Sequence, residues 1–235
     1  MTSKADRHYP PFPLGLYKAL RGLLKIIAGL LVRIDIEGLE NIPAQGQFIM
    51  ATNHLSYIDS PIIGVVIPRT MYVLAGEKYE RHLLFGPILR MAGAIFINRG
   101  EPDRSAIRQV QAVLEDGHCL GIAVEGTRSR TGGLIEGKTG PAYFATRADV
   151  PLLPVVIWGS ERFRENLLSL RRTEVHVRIG DMMRLPPGRA RAEDLARYTD
   201  EIMTTLASLL PEGYRGVYRD HPLLRKKLST QLASG

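Results

Sequence analysis

Residues 93–124, GAIFINRGEPDRSAIRQVQAVLEDGHCLGIAV, decide the fold class. The apolar runs at 93–97 and 119–124, short and rich in β-branched residues, each predict a strand. Between them Pro102 and then Asp103, a residue type that caps helix N-termini, open a helical stretch over 103–116. Strand, helix, strand is the unit from which an α/β domain builds a central sheet.

Working outward, the same kind of run predicts strands near 32–37, 47–52, 70–75, 152–158 and 173–180, with helices over 79–91, 140–148 and 191–210. There is no internal repeat and no low-complexity tract. The terminal RKKLSTQLASG, residues 225–235, is expected to fray. The chain therefore divides into a lead and helix over 1–33, one domain over 34–220 and a basic tail over 221–235.

At 235 residues and 45% apolar content the chain is large enough to build a proper core, which excludes global disorder. The single Cys119 cannot form an internal disulfide and reads as a small buried hydrophobe. A formal charge of +7 and a pI near 9.7 favour anionic partners: nucleic acid, acidic lipid or a phosphorylated substrate. The opening MTSKADRHYPPFPLG lacks the basic-then-apolar order of a signal peptide, and no charge-free apolar run reaches the ~18 residues that span a bilayer. The expected location is the side of the membrane on which the chain is made.

Residues 14–33, LGLYKALRGLLKIIAGLLVR, predict a helix. At ~100° per residue Lys18, Arg21, Lys25 and Arg33 gather within about a third of the circumference, and leucines and isoleucines fill most of the rest. Such a helix can lie in a membrane interface with its cations toward anionic headgroups. The competing reading is a helix packed on a soluble core.

The segment FIMATNHLSYIDSP (48–61) sets Asn53 and His54 just past a predicted strand, with Asp59 five residues after the histidine. Five helical residues turn through ~500°, so the two side chains can meet only across a turn. With Ser56 as N-cap, Asp59 falls in the first helical turn and can reach back to an imidazole nitrogen, the base-plus-orienter half of a triad. Ser56 and Asp59 also fit an S-x-x-D capping pattern beside a structural histidine, and spacing alone does not choose between the two. No G-x-S-x-G elbow is present, so a nucleophile would be a substrate hydroxyl. Arg99, after the strand of GAIFINRG, could grip a phosphate with its guanidinium. In GIAVEGTRSRTGG, Gly126 permits close backbone approach after Glu125, while Thr127 and Arg128 supply phosphate donors.

The order NHLSYID, FINRG, EGTRSR, VPLLPV, each beside a predicted strand end, resembles the glycerolipid acyltransferase family that includes 1-acylglycerol-3-phosphate acyltransferases. The resemblance covers roughly residues 33–160. It implies a central mixed β-sheet flanked by helices, with the 14–33 helix as a membrane-interface element and 34–220 as the acyltransferase domain. It implies that His54 and Asp59 are catalytic, that Arg99, Glu125, Gly126, Thr127 and Arg128 bind the acceptor phosphate, and that Pro154 lies near the acyl pocket. Asn53 and Lys138 are accessory candidates. Many members carry Phe-Pro where Ala123 and Val124 stand here. The implied reaction moves a fatty acyl group from acyl-CoA or acyl-carrier protein, a co-substrate rather than a cofactor, to lysophosphatidate. Glycerol 3-phosphate and other lysolipids are alternative acceptors. The implied place is the cytoplasmic face of the cell membrane, peripheral or monotopic, and no oligomeric state follows.

Two readings of another class compete. Residues 132–139, GGLIEGKT, match a P-loop pattern, but charged EGTRSRT precedes Gly132 where a strand should enter it. Nucleic-acid binding suits +7, yet aromatics are sparse at 7% and no C-x-x-C pair or RNP-like segment occurs. The six histidines are dispersed without metal-ligand spacing, so no metal is expected.

Overall fold

The computed structural model describes residue 9, residues 12–98 and residues 103–234, with 231–234 as helix backbone only. All seven expected strands form: β1 (Val32–Glu37), β2 (Ile49–Thr52), β3 (Met71–Gly76), β4 (Ala94–Ile97), β5 (Cys119–Ala123), β6 (Leu152–Trp158) and β7 (Thr173–Ile179). They make one mixed sheet in the order β1-β7-β6-β2-β5-β3-β4. Every pairing is parallel except β6 with β7, so β2, β3, β4, β5 and β6 end at a common edge. In open α/β sheets ligands bind outside such an edge, where the strand order switches direction. Here β2 is that point, since the chain runs from β2 toward β3 on one side and from β5 across it to β6 on the other.

The helices are α1 (Leu14–Leu31), α2 (Asp59–Val66), α3 (Phe85–Met91), α4 (Arg104–Glu115), α5 (Gly140–Ala148), α6 (Phe163–Leu168), α7 (Ala192–Leu209) and α8 (Pro222–Ser234). Successive strand residues point to opposite faces, which sorts the core into two layers. Ile49, Ala51, Leu120, Leu152 and Val156 pack with α4, α5, α7 and Leu224 of α8. Phe48, Met50, Leu153, Val155 and Ile157 pack on the other face with Ile62, Ile63 and Val66 of α2. Both faces being covered, the central strands read as unbroken apolar runs.

Asp103 caps α4 as expected, accepting from the Ala106 backbone N–H at 2.9 Å. Three expectations need correction. The 79–91 helix is only Phe85–Met91, because a proline ring is tolerated in a first turn but not further in, and Pro87 fixes the start. The expected fraying tail is instead helix α8, held to the core by buried Leu224 and partly buried Leu228, four residues apart on one face. Arg33 belongs to β1, not to the first helix, and Arg21 turns inward to the Val65 carbonyl at 3.0 Å, so the cationic stripe keeps Lys18 and Lys25 at the surface. The apolar face of α1 is largely uncovered, with Leu16, Leu23, Ile26 and Leu30 exposed and Tyr17 its one buried residue. No helix among the described residues is long and apolar enough to cross a membrane.

Candidate active site

Beyond Thr52 the chain leaves β2, and Asn53 holds the exit in place. Its amide, buried with the rest of the residue, donates to the Ile157 carbonyl at 2.8 Å and accepts from the Ile157 N–H at 2.9 Å, extending the β2–β6 ladder through a side chain. His54 follows at the sheet edge, and α2 starts at Asp59 with Ile58, not Ser56, at the N-cap position.

Across this turn Asp59 Oδ2 lies 2.8 Å from His54 Nδ1 and accepts the backbone N–H groups of Leu55 at 2.6 Å and Ser56 at 2.7 Å. The Ser160 hydroxyl donates to Oδ1 at 2.5 Å. The capping and orienting roles considered for this aspartate thus coexist in one carboxylate. Its side chain is 1% exposed and that of His54 21%, so the pair has an anchored end and an accessible end. With Nδ1–H donating to Asp59, the imidazole presents Nε2 as acceptor, and Nε2 has no hydrogen bond among the described residues.

The segment after β5 wraps the histidine. Glu125, fully buried, accepts the His54 backbone N–H at 2.8 Å through Oε2 and the Ile135 N–H at 2.9 Å through Oε1. Ser129 N–H then donates to the His54 carbonyl at 2.8 Å. Burial pushes the Glu125 carboxyl up to about 7, the Asp59 charge adds to the rise, and the two backbone donors oppose it. Gly126 has φ +69°, the left-handed region that lets the chain reverse once Glu125 has turned inward; a Cβ there would stand 3.2 Å from Lys138 Cγ. Thr127 is exposed. The Arg128 guanidinium carbon lies 3.3 Å from the centre of the Tyr57 ring, which stacks on Phe85. Arg128 has no carboxylate partner among the described residues, so its five donors are open to an anion.

Of the residues singled out in the sequence, Asn53, His54, Asp59, Glu125, Gly126 and Arg128 come together, and Lys138 stands beside Gly126. Pro154 does not join them: it is buried within β6, pairs with Ala51 and packs on Gly180. Arg99 lies outside the described residues. Val124 donates its N–H to the Thr52 carbonyl at 2.9 Å, a bond proline could not make. Residues 132–139 form no phosphate cradle: the Ile135 N–H goes to Glu125 and the Lys138 N–H to the Val124 carbonyl. Sequence reasoning missed Ser160 and Tyr57. Ser160 follows Gly159, whose φ of +85° brings the backbone so close to β7 that a Cβ would lie 2.4 Å from the Glu174 carbonyl oxygen.

The Acyltransferase family model matches residues 33–158, more than half of the chain. A 1-acyl-sn-glycerol-3-phosphate acyltransferase of Borreliella burgdorferi is 30% identical over 149 residues, 61% of this chain and 59% of the relative. One from Bacillus subtilis is 27% identical over 151 residues, 64% of this chain and 75% of the relative. The matched region thus spans less than two thirds of the Borreliella protein's length. Among solved structures, the 1-acyl-sn-glycerophosphate acyltransferase PlsC of Thermotoga maritima superposes with a TM-score of 0.62 at 28% identity, covering 81% of this chain and 77% of that one.

Proposed function

The chain belongs to the Acyltransferase family, and on that footing we propose that it transfers a fatty acyl group from an acyl thioester to the free hydroxyl of lysophosphatidate, giving phosphatidate. The observation that carries this reading is the interlock at His54: Asp59 holds its ring, Glu125 its N–H and Ser129 its carbonyl, with Arg128 one residue away. A base and an unpaired cation in one cluster suit a substrate that carries both a hydroxyl and a phosphate.

In the reaction, His54 Nε2 takes the proton of the acceptor hydroxyl as that oxygen attacks the thioester carbonyl. Asp59 fixes the tautomer and stabilises the imidazolium that forms. The tetrahedral intermediate collapses by breaking the C–S bond, and the imidazolium returns the proton to the departing thiolate. Arg128, with Lys138 nearby, holds the acceptor phosphate; Glu125 and Gly126 serve by shaping the loop that carries Thr127 and Arg128; Arg99 contributes from its position after β4. The exposed apolar face of α1 rests on the cytoplasmic face of the membrane as a peripheral contact, giving both acyl chains a route that avoids water.

Thiol release is the test, with acyl-CoA or acyl-carrier protein as donor and lysophosphatidate, glycerol 3-phosphate and other lysolipids as acceptors. His54→Ala is expected to lose at least ~100-fold in kcat. Arg128→Ala is expected to raise the KM of phosphate-bearing acceptors while leaving kcat largely intact. Full turnover in His54→Ala removes the mechanism, and an Arg128→Ala enzyme with unchanged acceptor dependence removes the phosphate assignment.

A further inference from the structure

Next to Ser160 the chain forms α6 and then a tight turn before β7. The turn is closed by backbone bonds: the N–H of Ser169 donates to the Glu165 carbonyl at 3.1 Å, that of Leu170 to the Leu167 carbonyl at 3.2 Å and that of Arg171 to the Asn166 carbonyl at 2.8 Å. It holds Leu168 and Leu170 out into solvent, 78% and 96% exposed. Leu170 also has φ +52°, a left-handed conformation that favours glycine or asparagine and disfavours leucine. An exposed leucine in a disfavoured conformation gains nothing from the fold around it.

The charges around the turn say what could cover it. Within residues 162–172 four arginines, Arg162, Arg164, Arg171 and Arg172, face one carboxylate, Glu165. All four are exposed, and none has an ion-pair partner among the described residues. Arg172 ties the turn to the end of α1, donating to the Gly29 carbonyl at 2.8 Å and the Val32 carbonyl at 2.7 Å. Phe163, at the start of α6, packs in the same core layer as Leu31 and α2. The leucine turn is therefore tied, two residues on, to the C-terminal end of α1, the helix whose apolar face is exposed, and arginines precede and follow it in the chain. Exposed leucines flanked along the chain by exposed arginines match the chemistry of an anionic phospholipid surface, apolar below and negative at the headgroups.

We propose that the Leu168–Leu170 turn is a second bilayer contact, which inserts beside α1 and sets the active-site edge against the membrane. This extends the membrane contact assigned above to α1 and rests on that reading. Two contacts fix an orientation that one helix leaves free to rotate, and α6 starts three residues after Ser160, the hydroxyl bonded to Asp59.

The test uses the full chain and vesicles of phosphatidylcholine with about 30 mol% phosphatidylglycerol. Leu170→Gly is suited to it, because glycine accepts the left-handed backbone and the variant folds. Its partition onto these vesicles is expected to fall about tenfold, with no drop in thermal midpoint. Cys119 is buried, so a cysteine introduced by Leu170→Cys can be labelled alone with an environment-sensitive fluorophore. That probe is expected to shift to the blue on the vesicles and to be quenched by nitroxide lipids. Unchanged partition of Leu170→Gly overturns the proposal, as does a probe that stays water-like while the chain is bound. A dimer that Leu170→Gly dissolves in sedimentation velocity also overturns it, by naming a second copy as the occupant. Failure of the acyl-transfer reading would show separately, as full turnover of His54→Ala on micellar substrate.

Discussion

Asp59 accepts from two backbone N–H groups and a serine hydroxyl besides its contact with His54, so its carboxylate is fixed before any substrate arrives. Glu125 does for the backbone of His54 what Asp59 does for its ring, but from a fully buried position that raises its proton affinity. The sign of the consequence follows from linkage. A carboxyl whose pKa rises from 4.5 to about 7 on folding binds more protons folded than unfolded between those values. Its stabilising share is complete below about 4.5 and is lost as pH climbs through about 7, by up to about 3 kcal/mol. Glu125→Gln cannot titrate, so urea unfolding of both proteins should show the wild type losing stability relative to the variant across that interval. Parallel curves would mean that Glu125 ionises normally in its pocket. Neither this role nor that of Ser160 was legible in the sequence, since Glu125 and His54 are 71 residues apart and Ser160 and Asp59 are 101. That His54, Asp59 and Arg128 belong to one cluster was legible because their motifs stand in order along the chain; the atoms that hold them there are chosen by the fold.

At the scale of elements, β2 is only four residues long between β5 and β6. Asn53 lengthens it by pairing both amide atoms with Ile157. Asn53→Ala leaves a buried N–H and a buried carbonyl without partners, at about 1–3 kcal/mol each. A loss of about 2–6 kcal/mol in urea unfolding is expected, with reduced kcat because His54 is the next residue. A loss under about 1 kcal/mol would show that water or backbone shifts can replace the amide. All seven strands could be read from the sequence, the inner ones as largely apolar runs and β1 (VRIDIE) and β7 (TEVHVRI) as β-branched residues alternating with polar ones. Helices fared less well where the signal was not apolar periodicity. A proline displaced the start of α3. The six residues of α6 are too few to show a period, and their leucines face solvent. The basic composition of the last segment concealed the Leu224–Leu228 face of α8.

Taken as a whole, the molecule assigns different work to its two core layers. The layer containing α2 and the start of α6 also takes in Leu31 at the end of α1, so the elements proposed to meet lipid lie on one side of the sheet, beside the His54–Asp59 pair. The opposite layer, with α4, α5, α7 and α8, packs under the Glu125–Arg128 loop through Val124 and Leu134, and Leu224 is fully buried within it. Lys227 Nζ, 2.9 Å from the Thr205 hydroxyl, adds a polar contact between α8 and α7. If α8 is part of this layer, Leu224→Ala must open a cavity, costing about 2–5 kcal/mol. In a chain of this length that corresponds to a fall in Tm on the order of 5–15 °C. Because the cavity lies across the sheet from α2, thiol release well below the transition should keep its wild-type kcat. An unchanged Tm would mean that α8 undocks freely and behaves as the fraying tail its composition suggests; a lost kcat with an intact Tm would mean that the two layers are coupled through the sheet.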